Sequence, residues 1–120
     1  MRLPLLALAL LAAAAPAADR RAPPVATPTG KPQSCIPLSA IRETRVRNDR
    51  TIDFVMRGRQ IYRNVLPQGC PGLGFERRFT YATSLSQLCS VDIITVLYQA
   101  PIVRGASCGL GQFQPVTLAR

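Results

Sequence analysis

The sequence predicts an all-β fold: a small curled antiparallel sheet or barrel of about six strands, with room for one short helix and with two disulfides. Three observations predict it. Short alternating apolar–polar runs recur between residues 44 and 117, separated by Gly, Pro, Asn and Asp turn signals. One run, VDIITVLY (91–98), is apolar on both faces; it asks for cover on two sides, hence for a curled sheet rather than a flat meander. Four cysteines in 120 residues, with no C-x-x-C, read as two structural disulfides rather than a zinc site or a redox pair.

Taken from the N-terminus, MRLPLLALALLAAAAPAADRR has one arginine, an apolar run over residues 3–15 and then small residues. That is the layout of a secretory signal peptide. Ala15-Pro16-Ala17 fits the small-x-small cleavage pattern, so the expected signal peptide is 1–17. The run is short of the ~20 residues that span a bilayer. Residues 18–34, ADRRAPPVATPTGKPQS, hold four prolines and few apolar anchors and read as a disordered linker. The ordered domain is expected over 35–118.

Within it, IPLSAIR (36–42) can form the short helix. TRVR (44–47) is a first alternating strand and Asn48-Asp49 a turn. TIDFVM (51–56) puts Ile52, Phe54 and Met56 on one face, and Arg57-Gly58 marks the next turn. QIYRNVL (60–66) is a third strand. FERRFTYA (75–82) is a fourth, with Phe75, Phe79 and Tyr81 on one face. SLSQL (84–88) reads as a helical turn. VDIITVLY is a central strand, Pro101 and Gly105 mark a loop, and FQPVT (113–117) is a last strand, at an edge because of Pro115.

Four cysteines allow three pairings. If the strands run up and down, three of them separate Cys35 from Cys70, one separates Cys70 from Cys89, and one separates Cys89 from Cys108. Parity then favours Cys35–Cys89 and Cys70–Cys108; a missed strand or a crossover would reverse it. The other pairings join opposite ends of a strand roughly 20 Å long, whereas bridged Cα atoms lie about 4.4–6.8 Å apart. The matching stretches CPGLGF (70–75) and CGLGQF (108–113) then become two turns joined by one disulfide.

IDFVMRGRQIYRN (52–64), LPQGCPGLGFERRFTYATSLSQLCSVDIITVL (66–97) and ASCGLGQFQPV (106–116) together resemble a family of small exported proteobacterial proteins, a domain of unknown function. The Y-R-N, C-P-G-L, L-C-S-V-D and C-G-L-G motifs carry the resemblance. Many members look like lipoproteins. This chain has no lipidation cysteine, so the resemblance implies an unlipidated periplasmic or secreted form. It implies no catalytic residues.

The chemistry is bounded by what the chain lacks and by its charge. It has no histidine, so no Ser-His or Cys-His nucleophile and no imidazole ligand can be built. No cofactor or metal is expected. The formal charge is +9, and fourteen of the fifteen basic residues are arginine. Arginine pairs bidentately with carboxylate and phosphate. Arg45, Arg47, Arg63 and Arg77 fall on alternating strand positions, with Tyr62 and Tyr81 nearby. They are the candidate binding residues for an anionic envelope glycan, a lipid headgroup or an acidic protein. Nucleic acid is not expected for an exported chain. Gly72-Leu73-Gly74 and Gly109-Leu110-Gly111 lack the lysine and helix start of a phosphate loop and read as turns. The acids are expected to pair with arginines or cap turns, Asp92 being the foremost candidate for a buried ion pair. The expected function is a non-catalytic periplasmic binding or structural module. The alternatives are an inhibitor or accessory subunit of an envelope enzyme, and a carboxylate-based hydrolase.

Overall fold

A computed structural model describes residues 22–83, 85–99 and 101–119. The expected signal peptide, the start of the expected linker and Ser84 lie outside the described residues. The fold is all-β with one short α-helix and two disulfides, and its sheets are antiparallel and open rather than closed into a barrel. Ten strands occur among the described residues: β1 (Ala26–Pro28), β2 (Cys35–Pro37), β3 (Ile41–Val46), β4 (Thr51–Met56), β5 (Ile61–Val65), β6 (Phe79–Tyr81), β7 (Gln87–Cys89), β8 (Ile93–Gln99), β9 (Ile102–Gly109) and β10 (Phe113–Leu118). The helix, α1, is Leu73–Glu76. The strands form a five-stranded sheet in the order β1-β10-β5-β4-β3, a three-stranded sheet β6-β8-β9 and a two-stranded ribbon β2-β7.

The alternation in TIDFVM sends Ile52, Phe54 and Met56 inward, where they join Ile94 and Val96 of β8, Phe113 of β10, Ile36 of β2, Leu88 of β7 and Leu73 of α1 in one buried cluster. Phe54 is its hub. Its ring meets those of Phe113 and Phe79 edge-on, at centroid distances of 5.3 and 6.4 Å, the arrangement that the ring quadrupole favours.

Both predicted disulfides are present, Cys35–Cys89 and Cys70–Cys108. The first joins directly opposed residues of β2 and β7. The pairs match the expectation although more strands separate the cysteines than the sequence suggests. Both β8 and most of β9 lie between Cys89 and Cys108, so the hairpin returns Cys108 to the level of Ile94. Cys70 meets it there from the loop ahead of α1.

Several elements depart from the sequence reading. Residues 75–82 are not one strand. The chain enters α1 through Gly72 and leaves through Arg77, both left-handed, so Phe75 stands on a helical turn and is exposed rather than aligned with Phe79 and Tyr81. Gln87–Cys89 is a strand, not part of a helical turn, because it pairs with β2. Residues 101–105 belong largely to β9 instead of a loop. Gly105 sits in that strand because the Tyr98 ring lies over it: a Cβ there would come within 2.5 Å of the ring. β8 is central in its sheet but covered on one face, with Ile94 and Val96 buried and Ile93 exposed. The segment read as a linker is ordered over its second half. Ala26–Pro28 pairs with β10, and Gln33 bridges Phe113. This places β10 inside the sheet despite Pro115. The Pro115 carbonyl accepts from the Thr29 N–H at 2.9 Å. A strand residue's N and O point to the same side, so the missing N–H faces the stretch where residues 30–32 leave the sheet. The short helical element expected over 36–42 is a 3-10 turn, Leu38–Ala40.

Candidate functional site

The outer face of the five-stranded sheet carries the charge. In TIDFVM the residues alternate with the core set, so Asp53 points outward, in register with Arg45 on β3 and Arg63 on β5. It is nonetheless fully buried. Arg47 Nε donates to its Oδ2 at 2.8 Å, and Arg63 donates through Nε to Oδ1 at 2.8 Å and through Nη2 to Oδ2 at 3.0 Å. The two guanidinium side chains are only 21% and 12% exposed. Arg63 also donates through Nη1 to the Pro24 carbonyl at 2.9 Å. The arginines and the N-terminal segment therefore lie over the carboxylate as a lid. Arg45 makes a more exposed pair with Glu43 at 2.7 Å, of the kind that contributes little to stability.

A cavity of about 700 Å³ opens beside this cluster, lined by Ala22–Pro24, Val46, Arg47, Asn48, Asp49, Gly74, Phe75 and Arg77. Its floor is the β3–β4 turn docked on α1. The Asn48 side chain accepts from the Arg50 and Thr51 N–H groups. Asp49 accepts from the Gly74 N–H through Oδ1 at 2.7 Å and from the Cys70 N–H through its carbonyl at 2.6 Å. Phe75 is 87% exposed. Arg77 closes α1 at φ 58°, a conformation that costs a residue with a Cβ roughly 1–2 kcal/mol. No carboxylate lies within ion-pair distance of Arg77 among the described residues.

The six expected binding residues thus divide. Arg47 and Arg77 share the cavity wall. Arg63 is next to Arg47 but committed to Asp53 and Pro24. Arg45 is on the same face, tied to Glu43. Tyr62 lies on the opposite face, opposed to Phe54 and packed against the core. Tyr81 is in the three-stranded sheet, against Phe79 at a centroid distance of 6.3 Å. Asp92 is a turn residue, its Oδ2 accepting from the Cys89 N–H at 2.7 Å, and it makes no ion pair among the described residues. The buried ion pair belongs to Asp53.

The Y-R-N, C-P-G-L, L-C-S-V-D and C-G-L-G motifs all have structural work. Asn64, the last residue of Y-R-N, is buried and exchanges two hydrogen bonds with Gly111 of C-G-L-G, at 2.7 and 2.8 Å. A Cβ on Gly111 would collide with the Val65 carbonyl. C-P-G-L supplies the Cys70 disulfide and the buried Leu73, and L-C-S-V-D supplies Leu88, the Cys89 disulfide and the Asp92 turn. The two Gly-Leu-Gly stretches are not matched turns. The first opens a helix, and the second links β9 to β10.

Phe75 and Asn48 are site residues that the sequence does not single out for binding. Their signal was the neighbouring C-P-G, which begins a helical turn and rotates Phe75 off the strand register. No helix among the described residues is long and apolar enough to cross a membrane. Comparisons with family models, curated proteins and solved structures give no match.

Proposed function

We propose that the chain is a non-catalytic module, periplasmic or secreted, that holds an anionic group of an envelope component in the cavity between Arg47, Arg77 and Phe75. The observation that carries the reading is Arg77: a cation kept in a strained backbone conformation, facing a cavity, with no carboxylate partner among the described residues. Strain of this kind gathers at functional sites. Phe75 gives the same wall an apolar plane on which a sugar ring can lie.

The placement of the acids favours binding over hydrolysis. Glycoside hydrolysis needs two carboxylates facing across the bond. Among the described residues Asp49 is the one carboxylate on the cavity lining, and its Oδ1 is occupied by Gly74. Asp53 is enclosed by two guanidinium groups.

The test is a calorimetric titration with a short acidic sugar oligomer, galacturonate trimer, at 50 mM and 500 mM salt. Binding that weakens with salt and falls at least tenfold in Arg77→Ala, with Arg104→Ala unchanged, supports the reading. Binding indifferent to both salt and Arg77 refutes it.

A further inference from the structure

A second strained arginine stands at the end of β4 opposite to the cavity. The β4–β5 turn is Arg57-Gly58-Arg59, with Gly58 at φ 79° and Arg59 at φ 68°. Arg59 and Arg77 are the two non-glycine residues at positive φ among the described residues, and both are arginines. Arg57 and Arg59 are exposed. Arg42 joins them: β3 is bulged between Ile41 and Glu43, and Ile41 is opposed to Met56, the residue before Arg57. No carboxylate is within ion-pair distance of these three arginines among the described residues.

The two groups are separated by the length of β3 and β4. Six residues at about 3.3 Å each put them roughly 20 Å apart. That is about twice the screening length of ~10 Å at 0.1 M salt, so one small anion cannot serve both. Between them β3 is an open sheet edge carrying Arg45, whose exposed pairing with Glu43 is readily exchanged. Arg42 and Arg45 both lie on β3, and the exposed large apolar side chains, Phe75 among them, lie elsewhere than on residues 41–62. A tip with nothing to insert fits a chain-like ligand better than a bilayer surface.

We propose that the ligand is a linear polyanion, a glycan with repeated carboxylate or phosphate groups. It runs along the β3 edge from the cavity at Arg77 to a second contact at Arg42, Arg57 and Arg59. The inference rests on the cavity reading and adds the length and polymeric nature of the ligand.

The experiment compares galacturonate trimer with galacturonate dodecamer on the wild type, Arg77→Ala, and the double variant Arg57→Ala/Arg59→Ala, each checked for an unchanged circular dichroism spectrum. The dodecamer is expected to bind at least tenfold tighter than the trimer. The double variant is expected to reduce the dodecamer to the trimer's affinity and leave trimer binding intact, while Arg77→Ala weakens both. A dodecamer no tighter than an Arg77-dependent trimer, or a double variant without effect, overturns the inference and leaves the cavity reading standing. Trimer binding that survives Arg77→Ala overturns the cavity reading, and this inference with it. Capture on phosphatidylglycerol vesicles with no binding of either glycan overturns the polymeric ligand.

Discussion

Removing the carboxylate at Asp53 tests how the outer face is held. In Asp53→Ala two arginines lose their common partner and three charge-assisted hydrogen bonds of 2.8, 2.8 and 3.0 Å disappear. Summing such bonds at about 1.5–3 kcal/mol each overshoots, because the freed guanidinium groups regain water. Breaking a buried pair by deleting one partner costs about 3–5 kcal/mol. With Arg47 21% and Arg63 12% exposed, both can rehydrate in part, which places the loss near 3 kcal/mol. For a domain of this size that is a large share of a total stability of about 5–15 kcal/mol, and a fall in Tm of roughly 12–24 °C. The assay is urea denaturation with the disulfides intact, followed by circular dichroism. A second variant, Arg47→Met/Asp53→Val/Arg63→Met, removes all three charges and is expected within about 1 kcal/mol of wild type, since apolar packing can replace a buried ion cluster. An Asp53→Ala loss below about 1 kcal/mol at unchanged denaturant slope would refute the reasoning, as would a triple variant as unstable as the single one.

Three further outcomes follow from the geometry. Gly111→Ala is expected to cost more than about 2 kcal/mol, because its Cβ collides with the Val65 carbonyl and pulls apart the Asn64–Gly111 pair, whereas Gly109→Ala, with open space around it, should stay within about 0.5 kcal/mol; equal effects in denaturation would contradict this. The disulfides close sequence separations of 54 and 38 residues, and loop entropy assigns each up to about 4 kcal/mol. Reduction should therefore unfold the domain at 37 °C, and a retained thermal transition under reductant would count against that. Arg59→Asn, at φ 68°, should raise stability by up to about 1 kcal/mol while weakening the dodecamer. A more stable variant that binds as tightly as wild type would separate the strain from the binding.

The fold was readable where local pattern and burial agree. TIDFVM alternates, is flanked by turn residues and forms β4 over its whole length. It failed where a distant partner decides. Gly105 is a breaker in isolation and a strand residue under Tyr98. Gln87–Cys89 has no periodicity to speak of and becomes a strand through β2. Pro115 marks an edge by rule, yet β1 adds a strand beyond β10 and the Thr29 N–H donates to the Pro115 carbonyl. The candidate site shows the same division. Arginine-rich strands are plain in the sequence, but which guanidinium groups are neutralised depends on Asp53 lying in register with Arg63, and register is not a local property. Tyr62 adjoins Arg63 in sequence, but the pleat sends the two to opposite faces.

The two disulfides interleave: the loop closed by Cys35–Cys89 contains Cys70, and the loop closed by Cys70–Cys108 contains Cys89. This has a consequence for biogenesis. A chain that emerges from its N-terminus presents Cys35 and Cys70 together before either native partner has arrived. The first disulfide open to it is a wrong one, and oxidation that keeps pace with emergence traps it. The native pairs require either that oxidation wait for Cys108 or that a thiol–disulfide isomerase reshuffle Cys35–Cys70. Yield of the folded protein should therefore depend on isomerase supply more than on oxidant strength.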